Sequence, residues 1–239
     1  MVQQVENEGL LMLRDNNNDE FLLREFTFND RKEFDKYMET LEKRKMQLGN
    51  CKHVGPLEQI LSKAEDQYCS TYYKIYALFR FTHRTLRDEI EERKAQQRPF
   101  QEKDLWSMLA SCIVGMSHLQ KHAIKHQSLS SSAILLSREG VIRVYDPIST
   151  GVQTNYDSLL TKRDTPHVYL SPELGDCLQR ETTFPHCHPY KSDIWTMGMI
   201  VLEAGLSQYQ DECYRDQSAR VHWETLQYNI HRFRQCHSA

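Results

Sequence analysis

The residues of this chain that could perform chemistry lie mainly in its second half, in loops between predicted helices and strands. His126 and Ser128 stand in the segment KHQSLSSSAILL, between a helical pattern and a strand pattern. Asp146 directly follows the strand pattern VIRVY. A carboxylate in such a place can bind Mg²⁺ through its oxygens, and it can equally accept backbone N–H groups of the following turn. Both interpretations of Asp146 stay open at this point.

Two other groups of side chains could form a functional site or could simply be ordinary polar surface. His186-Cys187-His188 has the residue types that bind zinc, but adjacent ligands without a second pair at the usual spacing argue against a zinc site. Hydroxyl groups that could be phosphorylated stand in a polar loop and in a later segment, and a plain polar surface is the simpler interpretation; they are Ser128, Ser130, Ser131, Ser132, Thr161 and Thr165.

The first third of the chain shows the patterns of strands around one helix. LLMLR and EFLLREFTF flank an Asn/Asp cluster, which predicts a β-hairpin over residues 10–28. Asp30 followed by Glu33 predicts a capped helix over about 30–48, with its apolar residues along one face and Gly49 after its end. Further strands are predicted over residues 54–61 and, with more aromatic and branched residues, over 72–81.

The remainder of the chain is predicted to be mostly helical. Apolar residues recur at spacings of three and four over residues 104–121, which predicts an amphipathic helix. Short strands are predicted over residues 133–136 and 141–145. Residues 194–206 are apolar almost all round, which predicts a helix at the centre of the protein. Strands followed by helices indicate an α+β protein with two lobes.

Composition excludes some classes of protein. The chain has 239 residues, 39% hydrophobic and 26% charged, as in ordinary globular proteins. The net charge of −3 and the dispersed basic residues argue against a nucleic-acid partner. Seven cysteines without a CxxC pair favour a reducing compartment, and no apolar stretch is long enough to predict a membrane span.

Four segments in the second half, taken together, resemble the protein kinase superfamily. The loop that begins at His126 is similar to H-R-D-L-x-x-x-N, with Gln127 at the Arg, Ser128 at the catalytic Asp and Ala133 at the Asn. Asp146 stands where the Asp of D-F-G would be, followed by Pro147 and Ile148.

The other two segments are similar to the A-P-E motif and to the buried helix of the larger lobe. Ser171-Pro172-Glu173 matches the first, and YKSDIWTMGM, with Asp193 and Trp195, matches the second. The resemblance implies structural roles for His126, Pro172, Glu173, Asp193 and Trp195. Glu173 is expected to lack the Arg that normally pairs with it in the family, unless Arg232 or Arg234 takes that place.

Over the first 80 residues the resemblance concerns topology alone. Arg24 is expected at the position of the nucleotide-binding Lys, and either Glu39 or Glu42 as its partner on the helix. No G-x-G-x-x-G occurs.

The fold that the resemblance implies is a bilobal, α+β protein-kinase-like fold. Residues 1–81 would form a β-rich lobe that contains one helix and lacks the Gly-rich hairpin. Residues 82–239 would form a helical lobe, shortened after the region that the family labels αF/αG, the buried helix and the helix that follows it. The two lobes would make up one kinase-like domain.

The departures from the motifs lead to the prediction of a pseudokinase, not an enzyme. Ser128 cannot act as a base near neutral pH, and losing such a base costs about 10²–10⁴ in rate. Ala133 offers no side-chain oxygen to a metal, so Asp146 would be the remaining metal ligand. No cofactor is expected, with weak binding of ATP and Mg²⁺ at Arg24 and Asp146 as the alternative.

The predicted function is therefore a non-catalytic interaction module or structural subunit. We expect protein partners, in a large complex or a smaller one, and an intracellular location in the cytoplasm or in a cytoskeletal or organellar assembly. The alternatives are a Ser/Thr protein kinase with ATP binding and non-standard catalytic residues, and a nucleotide-binding regulator without transfer activity.

Overall fold

The structure is a computed structural model that describes most of the chain. The described residues are 2–4, 10–14, 20–55, 57–67, 70–81, 84–137, 139–148, 169–180, 188–214 and 220–237. The predicted turn at Asp15–Asp19, the two threonines 161 and 165, and the pair His186-Cys187 lie outside them.

The first part of the protein is a five-stranded antiparallel sheet. Its strands, in chain order, are β1 (Val2–Gln4), β2 (Leu10–Arg14), β3 (Glu20–Phe28), β4 (Leu57–Gln67) and β5 (Ser70–Phe81). In space their order is β1-β2-β3-β5-β4. The predicted hairpin is confirmed, since β2 pairs with β3 with Leu10 opposite Arg24. β1 was not predicted, and β4 extends well past residue 61.

Helix α1 (Arg31–Leu48) packs against this sheet. Asp30 caps it by accepting a hydrogen bond from the N–H of Lys32 at 3.0 Å, and Glu33 supplies acidic charge in the first turn. Alternate residues of β3 face the helix, so that the rings of Phe26 and Tyr37 lie 4.8 Å apart. These contacts fix which side chains of α1 point toward the sheet.

The second part of the protein is mainly helical. Its helices are α2 (Leu86–Ala95), α3 (Glu102–Lys121), α4 (Pro172–Gln179), α5 (Pro189–Leu206) and α6 (Trp223–His237). A small sheet of order β6-β7-β8 is formed by β6 (Arg84–Thr85), β7 (Ile134–Leu136) and β8 (Ile142–Val144). The two parts share one hydrophobic core that runs from β5 and α1 to α3 and α5.

The segment after α1 joins the two parts through backbone contacts with β8. The carbonyl of His53 accepts from Val144 N–H at 2.9 Å, and Val144 in turn accepts from Gly55 N–H at 2.8 Å. Gly115 of α3 lies directly beneath this segment, where a Cβ atom would stand 2.4 Å from the His53 carbonyl oxygen. A glycine is therefore required for the close approach.

The prediction that residues 194–206 form a central helix is correct for one side of the helix only. Met197 and Ile200 of α5 are buried in the core, whereas Ile194 is 57% exposed. The exposed side forms an apolar groove with α6, lined in part by Trp195 and Phe233. Helix α5 thus has one apolar side that the described residues leave open.

Candidate functional site

The loop after α3 is held by the buried imidazole of His126. Its Nε2 lies 3.1 Å from the carbonyl oxygen of Tyr145, and its Nδ1 lies 3.4 Å from the backbone N–H of Ser128. This arrangement fits a neutral ring with the proton on Nε2. Burial lowers the pKa of His126 to about 4, in agreement with a neutral ring near pH 7.

Asp193 at the start of α5 fixes the same loop from the other side. Its carboxylate accepts from the N–H of Gln127 at 2.9 Å and from that of His126 at 3.2 Å. The Gln127 backbone has a φ of 60°, which a non-glycine residue adopts only under constraint. Two hydrogen bonds to one carboxylate supply that constraint, so Asp193 and His126 together set the path of the loop.

Ser128 and Ala133, at the two positions of the resemblance that would carry reactive groups, are both buried. The Ser128 hydroxyl can donate a hydrogen bond to the His126 carbonyl oxygen, which lies 3.4 Å away. Ala133 precedes β7 and offers only a methyl group. Neither side chain is placed to accept a proton from an attacking hydroxyl group.

Asp146 follows β8 and forms a two-bond ion pair with Arg44 of α1. Arg44 Nε donates to Asp146 Oδ2 at 2.8 Å and Nη2 to Oδ1 at 2.7 Å. Oδ1 also accepts from the N–H of Ile148 at 3.0 Å. The Asp146 side chain is only 2% exposed. Burial raises the pKa of this carboxyl group, and the Arg44 charge opposes that rise.

Arg24 of β3 lies beside this ion pair. It donates to the carbonyl of Ile148, and its guanidinium carbon lies 4.7 Å from the centre of the Phe26 ring. Burial lowers the pKa of Arg24, while the neighbouring Tyr37 and Asp146 raise it. The structure therefore brings Arg24 and Asp146, the two residues expected to contact a nucleotide, to the same place.

The expectation that Glu39 or Glu42 pairs with Arg24 is wrong. Both glutamates are exposed on the outer side of α1. Residues three or four positions apart share one side of a helix, and Glu39 and Glu42, two and five positions after Tyr37, do not share the side that faces the sheet. Arg44 stands on that inner side, seven residues after Tyr37, and Asp146 provides its negative charge. A basic side chain thus occupies the part of the helix where an acidic one was expected.

A second polar cluster, which the sequence did not indicate, lies beneath the loop. Glu203 of α5 is buried and accepts from the hydroxyl groups of Ser131 at 2.9 Å and Tyr169 at 2.8 Å. The Tyr169 oxygen also accepts from the N–H of Gln210 at 3.1 Å. Because the Ser131 hydroxyl is buried in this cluster, it is a structural group and not an accessible phosphorylation site.

The remaining residues with an expected structural role occupy separate places. Pro172 begins α4, and Trp195 Nε1 donates to the hydroxyl of Tyr214 at 2.9 Å. Glu173 is exposed, and no ion pair among the described residues joins it to Arg232 or Arg234. Arg232 instead donates to the side-chain oxygen of Gln208 at 3.3 Å.

The divalent metal ions that protein kinases use do not fit the described residues. Such ions are held by the Asp after the strand and by an Asn of the loop. Here both oxygens of Asp146 bind Arg44, and Ala133 has no oxygen to offer. Across the described ranges, His, Cys, Asp and Glu side chains nowhere come together in a group of three that could hold a metal.

The fold and the loop geometry define a protein kinase domain. An antiparallel sheet with one helix against it precedes a helical part, and helix α5, which is buried on one side, holds the loop through Asp193 near its N-terminal end. The family profile described as protein tyrosine and serine/threonine kinase matches residues 26–238. The chain therefore belongs to the protein kinase family.

Known relatives are protein kinases by name. The chain is 32% identical to dual specificity protein kinase zak2 of Dictyostelium discoideum over 121 residues, 48% of this chain and 18% of that protein. It is 30% identical over 105 residues to serine/threonine-protein kinase PLK4 of Drosophila simulans and of Drosophila melanogaster, 44% of this chain and 12% of each relative. The similarity thus spans less than a fifth of the relatives' length.

These relatives contradict the prediction that the chain is not an enzyme, because each of the three is named as a kinase. The roles of scaffold and structural subunit stay predictions. Within the residues that the structure describes, no helix is both long and apolar enough to cross a membrane.

Proposed function

We propose that this chain is a protein kinase domain that binds ATP between the five-stranded sheet and the turn after β8 and transfers its terminal phosphoryl group with non-standard residues. The observation that carries the proposal is the cluster of Arg24, Arg44 and Asp146. It unites a strand, a helix and a turn that are distant in the chain. The cluster also lies beside the loop that His126 and Asp193 hold.

The charge of the cluster suits a phosphate group. Two guanidinium groups lie beside one carboxylate at this site. Arginine donates to phosphate oxygens through a planar fork of N–H groups. A partly buried cationic site attracts an anion more strongly than an exposed one, because water screens its field less.

The chemical step needs positioning and charge stabilisation more than covalent help. The oxygen of an acceptor hydroxyl forms a bond to the γ-phosphorus as the bond to the bridging oxygen breaks, and ADP leaves with that electron pair. The hydroxyl proton passes to water. Since Ser128 is buried and cannot accept this proton, we expect a slow reaction, about 10²–10⁴ below that of a kinase with a catalytic base.

Serine and threonine hydroxyl groups are the proposed acceptors, because the relatives are named serine/threonine and dual specificity protein kinases. Partner proteins and an intracellular location belong to the same proposal. They rest on the relatives' being protein kinases, whose acceptors are other proteins.

The test is phosphoryl transfer from γ-labelled ATP by the purified chain, to itself and to an acceptor protein such as casein. We expect slow labelling that Asp146→Asn lowers at least about tenfold, because Arg44 loses a charge-assisted partner that holds it in place. Arg31→Gln is the control, since Arg31 lies on the same helix with its side chain 74% exposed. Labelling that is absent in the unaltered chain, or equal in Asp146→Asn, would refute the proposal.

A further inference from the structure

The misfit between Asp146 and a metal ion raises the question of what balances the nucleotide's negative charge. In protein kinases metal ions bridge the β- and γ-phosphates and neutralise them. In this chain the carboxylate that would hold such an ion is bonded through both oxygens to one guanidinium group. The cation beside Asp146 is therefore part of the protein.

Arg44 has further hydrogen-bonding capacity toward a ligand. Nε and Nη2 bind Asp146, whereas Nη1 makes no hydrogen bond with the described residues. The Arg44 side chain is 16% exposed, so it reaches solvent from a mostly buried position. A guanidinium group held by a carboxylate on one edge can donate to a phosphate oxygen from the other edge.

Arg24 supplies a second cation at the same site. Its guanidinium group lies over the Phe26 ring, which packs against Tyr37 of α1, and it donates to the carbonyl of Ile148, two residues after Asp146. Both guanidinium groups can donate to the oxygens of a polyphosphate, which carry more negative charge in the free nucleotide than in its metal complex.

We propose that Arg44 takes the place of the divalent cation beside Asp146, so that this site binds a nucleoside triphosphate without a metal ion. The phosphate oxygens accept from Arg44 and Arg24. This inference rests on the proposed function, since it states how the cleft holds ATP.

The test compares ATP binding by the full chain in EDTA and in Mg²⁺, by isothermal titration calorimetry. We expect the dissociation constants under the two conditions to agree within about threefold, because the site makes no use of the metal. Arg44→Gln is expected to weaken binding in EDTA at least about tenfold, the effect of losing one charge-assisted hydrogen bond. Arg24→Gln is expected to act in the same direction.

Two further variants make the result specific. Arg31→Gln removes an exposed arginine from the same helix and should leave binding in EDTA unchanged. Arg44→Gln removes the Arg44 charge from beside the buried Asp146 carboxylate and can unfold the chain. The double variant Arg44→Gln/Asp146→Asn removes both charges and replaces the pair with neutral amides. Its binding of ATP in EDTA should fall as far as that of Arg44→Gln.

The outcomes separate this inference from the proposed function. Binding of ATP that appears only with Mg²⁺ would refute the inference that the site works without a metal ion, but it would agree with the proposal that the chain binds ATP. It would mean that Mg²⁺ displaces Arg44 from Asp146. Unchanged binding of the double variant in EDTA would also overturn the inference. No binding under either condition would overturn both. Comparable binding in EDTA and Mg²⁺ that is lost in the Arg44 variants supports the site.

Discussion

Arg44 and Asp146, 102 residues apart in the chain, form a two-bond ion pair that ties helix α1 to the turn after β8. The pair joins the β-rich part of the protein to the helical part. Asp146 is buried and Arg44 nearly so. A buried pair of this kind is costly to break from one side, because the partner that remains is a charge without compensation.

The first prediction concerns the stability of this pair. Arg44→Gln should lower the free energy of unfolding by about 3–5 kcal/mol, since the buried Asp146 carboxylate loses both the charge and the two hydrogen bonds of Arg44. The double variant Arg44→Gln/Asp146→Asn should recover a large part of that loss. Urea unfolding of both single variants and the double variant gives the coupling energy, and additive losses would show that the two charges do not depend on each other.

Arg44 also shows what the sequence could have revealed about the site. Phe34, Tyr37, Leu41 and Leu48 mark the apolar side of α1, and Arg44 falls on the same side, three residues after Leu41. An arginine among buried positions requires an anionic partner. That signal was available, but the choice of Asp146 as partner depends on a contact across 102 residues that no local pattern encodes.

The parts of the fold that the sequence predicted well are those with local signals. The hairpin of β2 and β3 and helices α1 and α3 follow from turn residues and apolar spacing. The buried Glu203, by contrast, looks like any polar residue of a helix. Its role depends on Ser131 and Tyr169, which come from two other segments.

The second prediction is a pH dependence in which His126 and Asp193 oppose each other. The pKa of His126 is lowered from 6.5 to about 4, so its contribution to stability is present above pH 6.5 and is lost as the pH falls through 4. Burial raises the pKa of Asp193 from 3.8 to about 6, so its contribution is present below 3.8 and is lost as the pH rises through 6.

A variant that lacks one of the two groups should therefore show how the free energy of unfolding changes with pH because of the other group alone. Between pH 6 and 4, Asp193→Asn should lose stability on acidification more steeply than the unaltered chain, by up to about 1.4 kcal/mol per pH unit. His126→Gln should change the slope in the opposite sense. Urea unfolding at several pH values in this range measures both slopes, and parallel curves for all three proteins would contradict the prediction.

The third prediction concerns the cluster around Glu203. Tyr169→Phe removes a hydrogen bond to the buried carboxylate and leaves the Gln210 N–H without its acceptor. We expect a loss of about 2–4 kcal/mol in the free energy of unfolding. Tyr228→Phe is the matched control, because Tyr228 is 63% exposed and keeps its ring beside Arg232. A similar loss in both variants would argue against a special role for the cluster.

The fourth prediction tests the close contact between α3 and the segment after α1. A Cβ atom at Gly115 would meet the His53 carbonyl oxygen at 2.4 Å, and that oxygen accepts the hydrogen bond from Val144 N–H. The atom that must move is backbone, so a side-chain rotation cannot relieve the clash. Gly115→Ala should cost about 1–3 kcal/mol, although alanine is the better helix former.

Gly198 offers the opposite case within a helix of the same protein. A Cβ atom there meets nothing within 4 Å, so Gly198→Ala should raise the free energy of unfolding by about 0.5–1 kcal/mol through helix propensity alone. Urea unfolding of both variants separates the two effects, because they share the same chemical change. Stabilisation by Gly115→Ala would mean that the His53 segment moves freely away from α3. The backbone bonds to Val144 and Gly55 hold that segment in place, and for this reason we expect the two alanine variants to shift stability in opposite directions.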